Sequence, residues 1–335
     1  MSRDQKNHGR DDNQSGFSIT DIPVWVHITV AVVIVAVIAF SAYKLWRWNQ
    51  GTAETEGVVE GDFEVEVLDQ IFLMPPDKLA LKEDDGQETI LFLGNDILTY
   101  YNDENGFVEQ VQKKLGANCI NAGFPTSTVA MKNPVYSAEY PMDAFSFFHV
   151  ANSLVNGDFA DMETASTAFG DSRYDDHTEV LKNVDMTKID TLVIFYDAQD
   201  YISLNFGLNP NNNSDPMTYS GALYAGITAI QEKYPYIRIV CMSFPMCYAF
   251  TREGELVNGD RYDFGNGKLT TYLQFMIDNS GATGVSFIDN YYGTIHEDNS
   301  SDWLLDNIHV NAACNEHMAE HFVSKIYPNG LEKSE

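Results

Sequence analysis

Four short segments hold most of the residues able to do chemistry. They are Gly94-Asn95-Asp96-Ile97, Asn121-Ala122-Gly123-Phe124-Pro125-Thr126-Ser127, Asp197-Ala198-Gln199-Asp200 and Asp306-Asn307-Ile308-His309. The last has the sharpest pattern. An acid three residues before a histidine, just ahead of a helical stretch, suits a carboxylate that orients an imidazole as a general base. Asp96 and Asp200 each follow an apolar run, where a lone acid serves equally well to cap a helix or close a turn. Gln199 is long enough to reach a cleft as a donor, and Asn95 can hold its own loop. His296, His317 and His321 have no such partner and read as surface or core residues. The pairs Tyr100-Tyr101 and Tyr291-Tyr292 suit stacking on sugars, core packing or a loop rim.

The elements that must position these groups are legible in the apolar pattern. Runs at 89–93 (TILFL), 117–121 (ANCIN), 191–196 (TLVIFY), 237–243 (IRIVCMS) and 284–288 (GVSFI) read as strands. Their near-continuous apolarity fits strands covered on both faces of a parallel sheet. Helical spacing fills the intervals. Phe107, Val108, Val111 and Leu115 share one face; Asp143 is placed to cap a helix that buries Phe145, Phe148 and Val155; Asp215-Pro216 opens a helix ending near Pro235. Asn311 caps the last helix, whose inner stripe is Met318, Phe322 and Ile326. Strands alternating with helices predict an α/β fold, a three-layer α/β/α sandwich of flavodoxin-like type with strand order 2-1-3-4-5. Ligands in such sheets bind beyond the carboxyl ends of the strands, where all four segments fall.

Together the segments resemble the blocks of the SGNH (GDSL) hydrolase superfamily of esterases and lipases, from about residue 89 to 326. FLGNDILTYY is similar to the first block, Gly-Asp-Ser with the nucleophilic Ser. INAGFPTST is similar to the second, whose Gly donates a backbone N–H to the oxyanion hole, and Gly123 matches it. YDAQD is similar to the third, Gly-x-Asn-Asp, whose Asn is another oxyanion donor. DNIHVN is similar to the last, where Asp306 and His309 match the Asp and His of the triad. The resemblance implies the family's fold and an ester-cleaving or acyl-transferring activity, with O-acetyl groups on a surface glycan as the substrate expected from analogy and location.

The departures bear on that activity. Aligned without a gap, Asn95 stands where the family has Asp, and Asp96 where it has the nucleophilic Ser. Gln199 replaces the oxyanion Asn and Asp197 the Gly. Asp96 carries no hydroxyl proton to surrender, and its attack on an ester would give an anhydride, higher in energy than an acyl-serine. The carboxylates flanking His309 favour its protonated form, a poor base, and Asp96 would repel a developing oxyanion. Three readings follow. Water activated by His309 or Asp96, or a hydroxyl such as Thr99 or Ser127, sustains hydrolysis; or the domain is a degenerate hydrolase binding a glycan, peptide or partner; or, least favoured, Asp96 and a second acid act as a glycosidase pair. No Gly-x-Gly-x-x-Gly or P-loop motif calls for a nucleotide cofactor, and no ligand spacing calls for a metal.

The remainder of the 335 residues sets the location. Positions 24–42 contain no Asp, Glu, Lys or Arg, and extending the run to 22–43 gives a transmembrane helix long enough for a core of about 30 Å. Trp25 at one end and Tyr43, Trp46 and Trp48 at the other suit the two interfaces. The leader is too long and polar for a cleaved signal peptide. The expected organisation is a cytoplasmic tail at 1–21, the lipid-spanning helix, an acidic stalk at 44–88, the hydrolase-like domain at 89–327 and a tail at 328–335. The main domain is expected outside the cell membrane of a bacterium. The stalk's apolar middle, 65–73, is placed to pack on the domain edge. A net charge of -29 excludes nucleic acid as a partner, since phosphates are met by Lys and Arg. Cys119, Cys241, Cys247 and Cys314 lack paired spacing and read as buried thiols, though an oxidising compartment leaves a bridge open.

Overall fold

The computed structural model describes residues 23–49, 67–82 and 85–331. The chain divides into two compact units, Met1–Glu64 and Val65–Glu335. In the first, the one described element is the helix Val24–Asn49. Its large apolar residues from Ile28 to Phe40 are all more than half exposed. Among the described residues no helix is long and apolar enough to cross a membrane, so the transmembrane helix expected at 22–43 is not shown. Position 22 and the side chains of 41–43 lie outside the described residues, as do the tail at 1–21 and most of the stalk.

The second unit is built on a five-stranded parallel sheet. Its strands are β1 (Thr89–Gly94), β2 (Asn118–Asn121), β3 (Thr191–Phe195), β4 (Arg238–Met242) and, after a small antiparallel hairpin of β5 (Tyr248–Phe250) and β6 (Leu256–Asn258), β7 (Ser286–Ile288). The order is β2-β1-β3-β4-β7, which is the expected 2-1-3-4-5 with the hairpin set aside. Every residue of β1 and β3 is buried, so both faces must be covered, as their unbroken apolarity requires. Phe92 of β1 meets Phe107 and Phe322 from two helices, Phe107–Leu115 and Ala312–Ile326, which cover one face. Gly116 closes the first of these in a left-handed cap (φ +76°).

Two helix starts differ from the sequence pattern. Asp143 does not cap the helix Phe147–Asn156; Ser146 does, accepting the His149 N–H. Asp143 instead receives the N–H groups of Lys132 and Asn133, tying down a loop. The helix expected at Asp215 begins at Tyr219 under a Thr218 cap, and Asp215 closes the turn before it. In both cases a short polar side chain met a nearer backbone N–H.

The segment 67–72 lies along the free edge of β7. Gln70 and Phe287 exchange both backbone hydrogen bonds, at 2.9 and 2.8 Å. Asp69 receives the Asp289 N–H and pairs with His321 and Lys325. This strap covers a strand that would otherwise present unpaired N–H and C=O groups. All four cysteines are free thiols; burial pushes Cys119, Cys241 and Cys314 up to about 12.

Candidate active site

The four chemical segments converge at the carboxyl ends of β1, β2 and β3 and the start of the last helix. β1 ends at Gly94, where a Cβ would strike the Phe195 carbonyl and the Leu98 side chain. Asn95 follows, fully buried. Its Nδ2 donates to the Ser127 carbonyl at 2.9 Å and to Asp197 Oδ1 at 2.7 Å, and its Oδ1 accepts the Asp197 N–H at 2.8 Å. One side chain thus joins three of the four segments. Asp197 Oδ1 also accepts the Gln199 N–H, at 2.9 Å. Burial foremost, then the nearby charge of Asp96, pushes the Asp197 carboxyl up to about 8.

Asp96 begins the short helix Asp96–Thr99 and is 8% exposed. Its Oδ2 accepts the Thr126 N–H at 2.6 Å. Thr126 adopts φ +55°, a left-handed conformation unfavourable for a β-branched residue, and that turn brings its N–H to the carboxylate. Burial raises the Asp96 carboxyl above the ordinary range, against the Thr126 N–H and the positive fields of His309 and Arg173. Arg173 donates to the Thr99 carbonyl at 3.1 Å and is itself held by Asp171.

His309 Nδ1 meets Asp306 Oδ2 at 2.6 Å. Asp306 Oδ1 accepts the N–H groups of Ile308 and His309, at 2.9 and 2.8 Å. Partial burial works against ionisation of Asp306, but the His309 ring and these N–H groups hold its carboxyl below the usual range. The ring of Tyr100 stacks on His309, with centroids 4.4 Å apart and planes 26° from parallel. Asp96, Tyr100, Asp197, His309 and Asn315 line one narrow cleft. Its volume of about 10 Å³ admits roughly a single water molecule.

The oxyanion donors implied by the family resemblance do not face this cleft as free groups. The Gly123 N–H donates to Asn121 Oδ1 at 3.1 Å. Gln199 Nε2 donates to Ser203 Oγ at 2.9 Å, one turn along its own short helix. Asp200 is a loop staple: it accepts N–H groups from Val129 and Ala130, at 2.6 and 3.0 Å, and the Asn205 amide at 2.8 Å. Its burial pushes it up to about 6 against those bonds. Asp96, Asp306 and His309 are therefore brought together, with Asn95 and Gly123 behind them, while Gln199 and Asp200 are turned to structural partners.

Two further residues of the site lie outside the four sequence segments. Asn315 is 2% exposed; its Nδ2 donates to the Asn105 carbonyl, and its Oδ1 has no partner among the described residues. A signal for it exists: position 315 falls on the inward stripe of the last helix with Met318, Ala319 and Phe322. Arg173 carried no such signal, because its helix is tied to the site only through tertiary contacts. Among the described residues no group of three or more His, Cys, Asp or Glu side chains is arranged to hold a metal ion.

No protein-family model matches the sequence, and no curated protein matches it. Solved structures do. One crystal structure is 15% identical with a TM-score of 0.53, covering 73% of this chain and 99% of that one. A possible lipase from Chitinophaga pinensis is 11% identical with a TM-score of 0.48, covering 73% and 99%. Est24, a carbohydrate acetylesterase from Sinorhizobium meliloti, is 12% identical with a TM-score of 0.44, covering 72% and 99%. Likeness at this identity is one of fold. The domain shares its parallel α/β fold with these structures, and its four blocks meet at the carboxyl edge of the sheet.

Proposed function

We propose that the Val65–Glu335 unit binds a ligand rich in hydroxyl groups, such as a surface glycan, across the mouth of the narrow cleft of an SGNH-type domain without acyl-enzyme chemistry, with one hydroxyl reaching into it. The observation that carries this reading is the engagement of the Gly123 N–H by Asn121, together with the turning of the Gln199 amide to Ser203. With Asp96 in place of the nucleophile, the cleft presents a carboxylate acceptor. Such a lining suits groups that donate hydrogen bonds and opposes a forming oxyanion. Tyr100, nearly half exposed, supplies an aromatic rim for a sugar face.

A second reading is hydrolysis or transfer of ester-linked acyl groups such as O-acetyl. The 2.6 Å His309–Asp306 pair favours it, since an imidazole so oriented can activate the one water the cleft admits. Under either reading, the apolar run of 24–42 anchors the chain in a cell membrane as a single span. The N-terminus is then cytoplasmic and the main domain outside, on a bacterial cell.

Hydrolysis of p-nitrophenyl acetate by the wild type and His309→Ala separates the two. The binding reading expects equal rates, at the level of buffer. A wild-type rate that vanishes in His309→Ala would overturn it in favour of the hydrolase.

A further inference from the structure

Three polar atoms of the cleft have no partner among the described residues. The Thr126 N–H takes Asp96 Oδ2 and Asp306 takes His309 Nδ1, which leaves Asp96 Oδ1 and His309 Nε2. The third is Asp197 Oδ2. Asp197 Oδ1 already accepts from Asn95 Nδ2 at 2.7 Å and from the Gln199 N–H at 2.9 Å, while Oδ2 makes no hydrogen bond. The side-chain atoms that are buried without a partner do not include these three, so each keeps contact with the cleft that its residue lines.

The charge state of Asp197 decides what the cleft offers. Asp197 is 3% exposed and makes no ion pair among the described residues. A carboxylate so placed is costly and takes up a proton instead. Its neighbours add to that cost. Asp96 faces it from the end of β1 and Asp200 from its own short helix. The Cys247 thiol beyond β4 is held neutral by burial. His309 is the one basic side chain lining the cleft, and Asp306 holds it. Asp96 receives the Thr126 N–H and feels the positive fields of His309 and Arg173, so of the two acids Asp197 keeps the proton. The two N–H groups on Oδ1 use that oxygen as an acceptor, which puts the proton on Oδ2. A carboxylic acid kept neutral in this way is a hydrogen-bond donor.

We propose that Asp197 is the donor of the cleft, its Oδ2–H working with the Asp96 carboxylate to recognise a single hydroxyl, which donates to Asp96 and accepts from Asp197. The inference deepens the glycan-binding reading and rests on it for the class of ligand. The space admits about one water-sized oxygen, so an alcohol fits by size as well as by pattern. An ester carbonyl only accepts and leaves Asp96 unmatched; an ammonium only donates and leaves the Asp197 O–H unmatched.

Infrared difference spectra of the full chain between pH 7 and pH 10 test the proton directly. The wild type is expected to lose one carboxylic-acid C=O band with a midpoint near pH 8, a band missing from Asp197→Asn. Asp96→Asn should keep the band and lower its midpoint, because the neighbouring negative charge is gone. Maltohexaose, an uncharged probe rich in hydroxyls, should bind the wild type about tenfold more weakly at pH 9 than at pH 7 in calorimetric titration, following the protonated fraction of the acid. In Asp197→Asn, whose amide nitrogen takes the place of Oδ2, the affinity should be the same at both. The assignment is overturned if no acid band titrates in the wild type, if the band persists in Asp197→Asn, or if the wild type binds the sugar equally at both pH values. A titrating Asp197 band with no sugar bound at either pH keeps the donor and sinks the glycan reading instead.

Discussion

Asn95 and Asp197 hold each other from both ends: the amide of one donates to the carboxyl of the other at 2.7 Å and accepts its backbone N–H at 2.8 Å. The clasp accounts for an Asn at position 95 and an Asp at position 197 together. An Asp at position 95 would face the buried Asp197 carboxyl, whereas an Asn supplies the donor that Asp197 needs. Asn95→Asp is therefore expected to lower stability by about 3 kcal/mol, with a larger loss at pH 8 than at pH 5, measured by urea denaturation.

Asp197 itself makes stability depend on pH. Its carboxyl is raised to about 8 in the folded domain, so the folded state holds a proton that the unfolded chain has released near its ordinary value. That contribution is fully present below about pH 4 and is lost as pH climbs towards 8. Asp197→Asn retains the Oδ1 acceptor and removes the titration. The variant should match the wild type at pH 4 and exceed it by about 2–4 kcal/mol at pH 8, in paired denaturation curves. Equal differences at both pH values would refute the assignment.

Thr126 tests the strained turn that feeds Asp96. Thr126→Gly relieves the positive φ and keeps the N–H, so stability should be unchanged or rise by about 0.5–1 kcal/mol. Thr126→Pro removes the donor and cannot adopt φ +55°, and should lower stability by about 3 kcal/mol in thermal denaturation.

Under the hydrolase reading, the engaged state of the Gly123 N–H predicts how ester hydrolysis responds to substitution. Asp96→Ser restores a hydroxyl beside His309 but leaves the Gly123 N–H on Asn121, so it should show little p-nitrophenyl acetate hydrolysis. Adding Asn121→Ala frees that N–H, and the double variant should exceed the single one by about 10- to 100-fold. A single variant as active as the double would show that Asn121 does not withhold the donor.

The edge strap is testable at Asp69, whose side chain is 8% exposed and accepts from Asp289, His321 and Lys325. Asp69→Ala leaves the Asp289 N–H and two basic groups without their acceptor. A loss of about 2–3 kcal/mol is expected, with faster amide exchange confined to 67–72 and β7.

The sequence by itself determined the sheet and its order. Runs such as TILFL and TLVIFY are too uniformly apolar for anything but strands covered on both faces, and the helices between them force parallel crossovers. It also determined the His309–Asp306 pair, because three residues of spacing before a capped helix leave the ring little choice of acid. The tertiary structure decided what the remaining site residues do. Gln199, Asp200 and Gly123 carry the right atoms for a cleft, yet their partners, Ser203, the Val129 and Ala130 N–H groups and Asn121, are chosen by loop conformation, which apolar periodicity does not encode. Asp143 and Asp215 tie down loops and turns instead of capping helices for the same reason, since a short polar side chain takes the nearest unmatched N–H. The proton of Asp197 was equally invisible, because burial of an acid beside a second acid becomes apparent only when the segments around it have closed. Burial pattern is a property of a run of residues, while hydrogen-bond partnership is a property of pairs brought together across the fold.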